Sequence, residues 1–318
     1  MKKKNIKDLH DINSKDHAKH KHNSENAITI SNLHFTYPGA KKGSYQLKKI
    51  NLNIKKGQWT TILGPNGSGK STLAKAIVKI NKYKSINNKA GENALLTNIK
   101  KAFEKDKNES TAGTIKLFGK DIRDYKGKEF AKKIAYIPQY IEIPEGTPVY
   151  EFVSYGRNPY VGFTGTFSKN DKKIIEESMK EVDVWEWKDK MMDELSGGQR
   201  QKVIIAMIMV QQSDIILLDE PTTYLDIRNQ YELLELMDAF HHQGKTIIAI
   251  LHDINQATQY SDRIVILKDG ELYDEGTPDK AINSKSLEEV YRVKAKLFKD
   301  GKRKYITDVK LINTKDNK

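Results

Sequence analysis

Cysteine is absent from all 318 residues. Disulfides and thiolate metal sites are thereby excluded, and a disulfide-stapled secreted domain with them; an intracellular location fits. Long apolar runs are missing as well. The roughly 18 consecutive apolar residues that a membrane-spanning helix requires occur nowhere, and the most apolar run, Val203 to Val210, falls far short. The chain is not expected to cross a membrane by itself. Nor is there an export signal: after the basic start Met1-Lys2-Lys3-Lys4, the residues Asp8, His10 and Asp11 stand where an apolar stretch belongs.

Positive charge is what the chain has in excess, 55 Lys and Arg against 42 Asp and Glu, a net +13. That balance suits nucleic acid, anionic lipid head groups, or no partner in particular. The first 22 residues hold seven lysines and three aspartates, and the remaining charge is scattered rather than gathered into an aromatic-interleaved stripe. It reads as a solvated, lysine-rich surface with room for an accessory role at a membrane face; no nucleic-acid partner is expected. Residues 1–26 are too poor in apolar side chains to offset ordering entropy and are expected to be a disordered leader. Its His10, His17, His20 and His22 could collect a soft divalent ion, although composition favours a merely polar leader.

From Ala27 the pattern alternates as a half-buried strand does, and Pro38-Gly39 makes a turn. A second alternating run, Leu47 to Ile54, ends at Lys55-Lys56-Gly57, which reads as a hairpin-like turn. Residues 81–112 are lysine- and asparagine-rich, with a short amphipathic candidate at 94–103, and read as a surface insertion. Strands are expected at 114–119 and 134–139. A segment of about 145–212 reads as helical, with helices at 149–156, 169–182 and 198–211. Beyond it, strands at 214–219, 246–251 and 263–268 alternate with helices at 227–240 and 254–260, as in a parallel α/β sheet.

Five stretches carry chemistry. Gly64-Pro65-Asn66-Gly67-Ser68-Gly69-Lys70-Ser71-Thr72 follows the apolar run Thr60 to Leu63 and opens a helix-compatible segment. Glycines let backbone N–H groups approach an anion and the helix adds its positive end; Lys70 would reach the β- and γ-phosphates and Ser71 a Mg²⁺ ion. An ordinary glycine-rich turn explains the glycines but not Lys-Ser-Thr at a helix start. Leu195-Ser196-Gly197-Gly198-Gln199 makes a second, by itself unspecific, anion site at a helix start. Asp219-Glu220-Pro221 puts two carboxylates at the exit of a buried strand, where Asp219 can hold Mg²⁺ and Glu220 can polarise an attacking water. His252 ends the next apolar strand, within reach of a γ-phosphate or that water, and Gln139 follows the strand at 134, within reach of Mg²⁺ or water.

Taken together, the sequence from 27 to 312 resembles the ATPase subunit of ATP-binding cassette transporters: phosphate loop 64–72, Gln139, signature 195–199, acidic strand 215–220 and His252, in that order. The resemblance implies an α/β P-loop NTPase fold of the ABC type, with an antiparallel β subdomain and an inserted α-helical subdomain at about 145–212. It implies an ATPase domain at 27–280 and a C-terminal helix and hairpin extension at 281–318. It implies ATP and Mg²⁺ as ligands, adenine stacked on Tyr37, a dimer contact at Leu225-Asp226, and Ser196, Gly197, Gly198 and Gln199 of one chain completing the ATP site of a second chain placed head to tail. The partner is then an identical chain, or a similar one.

Three further phrases resemble the branch serving iron–siderophore, haem and cobalamin importers: Gly156-Arg157-Asn158-Pro159-Tyr160, Asp219 to Ile227, and Leu287 to Tyr291 with a hairpin around Asp300-Gly301. The resemblance implies transmembrane permease subunits, an extracytoplasmic substrate-binding protein, and a peripheral place on the cytoplasmic face of the cell membrane. Ferric siderophore import is the reading favoured; haem or cobalamin import, an exporter, and a soluble nucleic-acid-acting cassette are the alternatives. The insertion and the leader have no counterpart in the family.

Overall fold

Two sheets organise the residues that the computed structural model describes: 25–37, 46–79, 112–162, 165–223, 225–301 and 303–312. The leader histidines, the Pro38-Gly39 turn and the amphipathic candidate at 94–103 lie outside them. The alternating run Asn26–Phe35 (β1) pairs antiparallel with Leu47–Lys55 (β2), with Ile28 opposite Ile54 and Ile30 opposite Leu52. Lys55-Lys56-Gly57 does not close a hairpin. It hands the chain from this sheet to the other, because Trp59–Leu63 (β3) is buried along its whole length, as only a strand covered on both faces can be. Gly57, at φ +69°, makes the turn and donates its N–H to Thr246 Oγ1 at 2.9 Å.

After β3 come the phosphate loop and the helix Lys70–Ile77 (α1). Ala112–Leu117 (β4) then returns to the free edge of β1, and Lys120–Asp121 (β5) extends that edge. A short helix, Gly127–Ala131 (α2), leads into Ile134–Ile137 (β6). The helical segment follows: Val149–Ser154 (α3), continued by a 3₁₀ turn at Tyr155–Arg157, Lys169–Glu181 (α4) and Gly197–Gln211 (α5). Ile215–Asp219 (β7), Ile227–His242 (α6), Thr246–Ile250 (β8), Ile254–Tyr260 (α7) and Arg263–Lys268 (β9) alternate as a parallel sheet requires. Glu271–Gly276 (β10) closes the second sheet, in the order β10-β9-β3-β8-β7-β6.

β10 is the longer of two strands that the sequence reading missed, the other being the two-residue β5. β10 runs antiparallel to β9 across Asp269-Gly270, both at positive φ, as the two-residue turn between paired Lys268 and Glu271 demands. Asp-Gly after an apolar run was the available signal; the charges of Glu271, Asp274 and Glu275 hid it, and an edge strand tolerates them.

Alternate residues of the parallel strands feed two cores. Ile62, Leu217, Ile248 and Val265 face α1 and the antiparallel sheet, while Leu63, Leu218, Ala249 and Ile266 face α5, α6 and the C-terminal helices. Each such Ile or Leu contributes roughly 1.5–3 kcal/mol by burial, so the strands that end at the phosphate loop and at Asp219 are firmly anchored. The C-terminal elements, Pro278–Ala281 (α8), Ser284–Tyr291 (α9), Val293–Asp300 (β11) and Arg303–Leu311 (β12), add Ile282, Leu287 and Val290 to the second core. Asp300 pairs with Arg303, as expected of a hairpin there, and the Ile306 N–H and C=O bond the Asn255 side chain on α7. Among the described residues no helix is long and apolar enough to cross a membrane.

In the helical segment, Gly156-Arg157-Asn158-Pro159-Tyr160 is a knot at the C-terminal end of α5. Arg157 is 3% exposed, too deep for an unpaired charge. It meets Asp171 of α4 at 2.7 Å, donates to the Val210 carbonyl and to Gln212 Oε1 at 3.0 Å each, and stacks on Tyr160. Tyr160 Oη donates to the Gln211 carbonyl at 3.0 Å. A Cβ on Gly156 would stand 2.2 Å from the Met207 carbonyl oxygen, so only glycine lets the two segments touch.

A second staple joins α6 to the far end of β3. His241 Nε2 lies 3.0 Å from Asp262 Oδ2 and 3.1 Å from the Gly57 carbonyl, and its Nδ1 is 3.8 Å from Asp238 Oδ1. His242 stands beside it on the same carboxylate, and the Trp59 N–H donates to Asp262. Burial alone would lower the pKa of His241; the two carboxylates outweigh it and hold it at about 9. A pKa raised on folding stabilises in full below the unfolded value and is lost as pH rises through about 9. The stability advantage of the native chain over His241→Leu, measured by urea unfolding, is expected to shrink by about 3 kcal/mol between pH 6 and pH 10. A constant difference would mean that packing, not charge, makes the staple.

Candidate nucleotide site

The cradle forms where β3 ends. Gly64, at φ +147°, has the Leu267 carbonyl oxygen 2.2 Å from where a Cβ would stand, so the loop leaves the sheet along a path closed to any side chain. Gly69 caps α1 with no side-chain hydrogen bond, leaving the first-turn N–H groups of the helix free to meet an anion. Lys70 is buried and folds back on the loop, donating to the carbonyls of Gly64 at 2.9 Å and Pro65 at 3.1 Å. Burial lowers its pKa, and the charges of Glu220 and Asp219 pull it back up.

β7 lies two strands from β3 and delivers both carboxylates to the same end of the sheet. Asp219 is 1% exposed. Its Oδ1 accepts from Ser71 Oγ at 2.9 Å and its Oδ2 from Tyr136 Oη at 3.2 Å. Burial pushes the Asp219 carboxyl up, while these two donors draw it down. Glu220 sits at φ +53°, a left-handed conformation that a non-glycine residue adopts at a cost. One atom of it, Oε2, is shared by Gln139 Nε2 at 2.7 Å and His252 Nε2 at 2.8 Å.

These groups border one pocket of about 470 Å³, lined by Asn66, Gly67, Gly69, Lys70, Ser71, Thr72, Gln139, Glu220, His252 and Gln46. Tyr37 is not among the lining residues but touches one of them: it is 39% exposed, edge-on to Phe35, with its hydroxyl 3.2 Å from Thr72 Oγ1. Ser68 is buried under the loop, its hydroxyl without a hydrogen-bond partner. The chain thus brings together Lys70, Ser71, Asp219, Glu220, Gln139 and His252. The stretch Ser196 to Gln199 is not among the lining residues. In the single chain it has local work: Ser196 Oγ accepts the Gln199 N–H while Gln199 Oε1 accepts the Ser196 N–H, a capping box that starts α5.

The sequence reading missed two residues of this site. Tyr136 lies on β6 beside Leu217 of the acidic strand, and burial together with Asp219 raises its pKa. A tyrosine within the otherwise apolar strand Ile134 to Ile137 was the only local hint. Gln46 precedes β2, and nothing in the sequence around it points to a ligand.

The comparisons with known proteins agree with this geometry. The ABC transporter family model matches residues 47–223. The chain is 36% identical over 255 residues to the iron(3+)-hydroxamate import ATP-binding protein FhuC of Bacillus subtilis, covering 80% of this chain and 85% of that one. It is 32% identical over 264 residues to the petrobactin import ATP-binding protein FpuC of Bacillus anthracis (83% and 87% covered). It is likewise 32% identical over 260 residues to the ferric enterobactin transport ATP-binding protein FepC of Escherichia coli (81% and 86%). Among solved structures, a dimeric bacterial ABC transporter cassette superposes with a TM-score of 0.62 at 28% identity, over 79% of this chain and 98% of that one. With its cradle, its paired carboxylates and these relatives, the chain belongs to the ABC transporter family, as an ATP-binding subunit.

Proposed function

We propose that this chain hydrolyses ATP to ADP and phosphate as the motor subunit of an importer for ferric siderophores. The observation that carries the catalytic part is Glu220 Oε2, held by Gln139 and His252 beside the Ser71–Asp219 pair. A carboxylate oriented by two donors, next to a phosphate cradle, is placed to polarise a water attacking the terminal phosphate. His252 and Gln139 orient it. Ser71, Asp219 and Gln139 offer hard oxygen donors of the kind Mg²⁺ takes, and they would hold it. Bound there, Mg²⁺ would neutralise charge on the transferring phosphoryl group. The backbone of Gly64 to Thr72 and the Lys70 ammonium bind phosphate, and Tyr37 offers its exposed ring to adenine.

The single-chain pocket lacks the 195–199 signature, which is supplied, in this reading, by a second copy placed head to tail. Hydrolysis then requires the two chains to close on ATP. The helical segment would pass that closure to membrane permease subunits, fed from outside by a substrate-binding protein. The chain would sit peripherally on the cytoplasmic face, with no nucleic-acid partner.

The cargo rests on relatives named for hydroxamate, petrobactin and enterobactin import. In liposomes carrying the chain with its permease, ferric hydroxamate on its binding protein is expected to stimulate ATP hydrolysis, and haem or cobalamin to leave it at the basal rate. Stimulation by haem or cobalamin alone would overturn the cargo and leave the ATPase standing. Lys70→Ala is expected to weaken ATP binding by roughly 10- to 100-fold, the loss of a charge-assisted phosphate contact. Unchanged affinity in a titration would contradict the cradle.

A further inference from the structure

Gln46 is fixed at three points. Its backbone N–H is held by the Phe35 carbonyl at 2.8 Å. Its carbonyl oxygen presses so close to the phosphate loop that a Cβ on Gly69 would come within 2.9 Å of it. Its side-chain Oε1 accepts the Tyr37 N–H at 3.0 Å. That last contact also settles which way the amide points, because a backbone N–H can only donate, and the oxygen must face it. The remaining end, Nε2, makes no hydrogen bond to a described residue, yet the side chain borders the nucleotide pocket.

The order of groups along the pocket says which part of a nucleotide Gln46 meets. Contacts give that order: Asp219, next to Glu220, accepts from Ser71, the following Thr72 meets the Tyr37 hydroxyl, and the Tyr37 N–H meets Gln46. A nucleotide with its terminal phosphate at Glu220 and its base on Tyr37 presents its pentose between them, on the stretch that Gln46 spans from Gly69 to Tyr37. A neutral amide has no charge to offer a phosphate. With Oε1 engaged, it can only donate, and a sugar hydroxyl oxygen can accept.

We propose that Gln46 Nε2 donates a hydrogen bond to a ribose hydroxyl of the bound nucleotide, making Gln46 the residue by which this site tells ribose from deoxyribose. The inference rests on the nucleotide reading above. A site built to pair with a hydroxyl discriminates against the analogue that lacks it, since a donor is then left unmatched.

The test is a ratio of affinities, measured by equilibrium titration of the full chain with ATP, 2′-deoxy-ATP and 3′-deoxy-ATP. The native chain is expected to bind ATP about 5- to 15-fold more tightly than at least one deoxynucleotide, as one neutral hydrogen bond allows. Gln46→Glu keeps an acceptor for the Tyr37 N–H and removes the donor. Its new charge weakens all three nucleotides alike, but the ratio is expected to fall to within about twofold of one. Gln46→Leu should lose the ratio as well. Equal affinity of the native chain for all three, or a ratio surviving in Gln46→Glu, would overturn the assignment and leave ATP binding intact. Failure to bind ATP at all would strike the nucleotide reading itself.

Discussion

Glu220→Gln is expected to bind ATP nearly as the native chain does, to hold two copies together when ATP is present, and to lose turnover by roughly 100- to 10,000-fold, the usual contribution of a general base. Gln139 and His252 converge on the same oxygen of Glu220. A glutamine can place its one carbonyl oxygen there and accept from both. The substitution therefore leaves the constellation standing and removes only basicity, whereas alanine would also release Gln139 and His252. Single-turnover assays give the rate, and size-exclusion with and without ATP gives the pairing. Hydrolysis within tenfold of the native rate would assign the base elsewhere.

The second large effect is expected far from the cradle. Arg157→Ala should cost about 3–5 kcal/mol in urea unfolding, because it leaves the Asp171 carboxylate buried without its cationic partner. Replacing both charges while keeping the acceptor that Ser168 uses at the start of α4, Arg157→Met with Asp171→Asn, is expected to recover much of that loss. Two equal losses would point to packing on Tyr160 and the α5 carbonyls as the real contribution. The knot clamps the C-terminal end of α5, and Ser196 caps the N-terminal end of the same helix. Loosening it should leave ATP affinity of the single chain unchanged while ATP-driven pairing falls.

What could be read from the sequence was what the chemistry keeps contiguous. The phosphate loop needs its glycines, Lys70 and Ser71 in one turn at a strand-to-helix junction, and Asp219-Glu220 must follow a buried strand. Those were legible together with the parallel strands, whose unbroken apolar runs reflect burial on both faces. Contacts set by the sheet order were hidden. Tyr136 reaches Asp219 only because β6 and β7 are neighbours 83 residues apart in sequence. Gly156 to Tyr160 could be matched as a family phrase, but its purpose depends on carbonyls more than fifty residues on. The turn at Gly57 misled because local pattern cannot say whether a turn returns to its own sheet or departs for another.

Lys70 donates to the carbonyls of Gly64 and Pro65, the two oxygens at the start of its own loop. An ammonium carries three N–H donors, so these two contacts aim the third without exhausting the cation. A lysine tethered in this way has little rotamer freedom left to lose when a phosphate is bound, and the loop's own backbone supplies that pre-organisation.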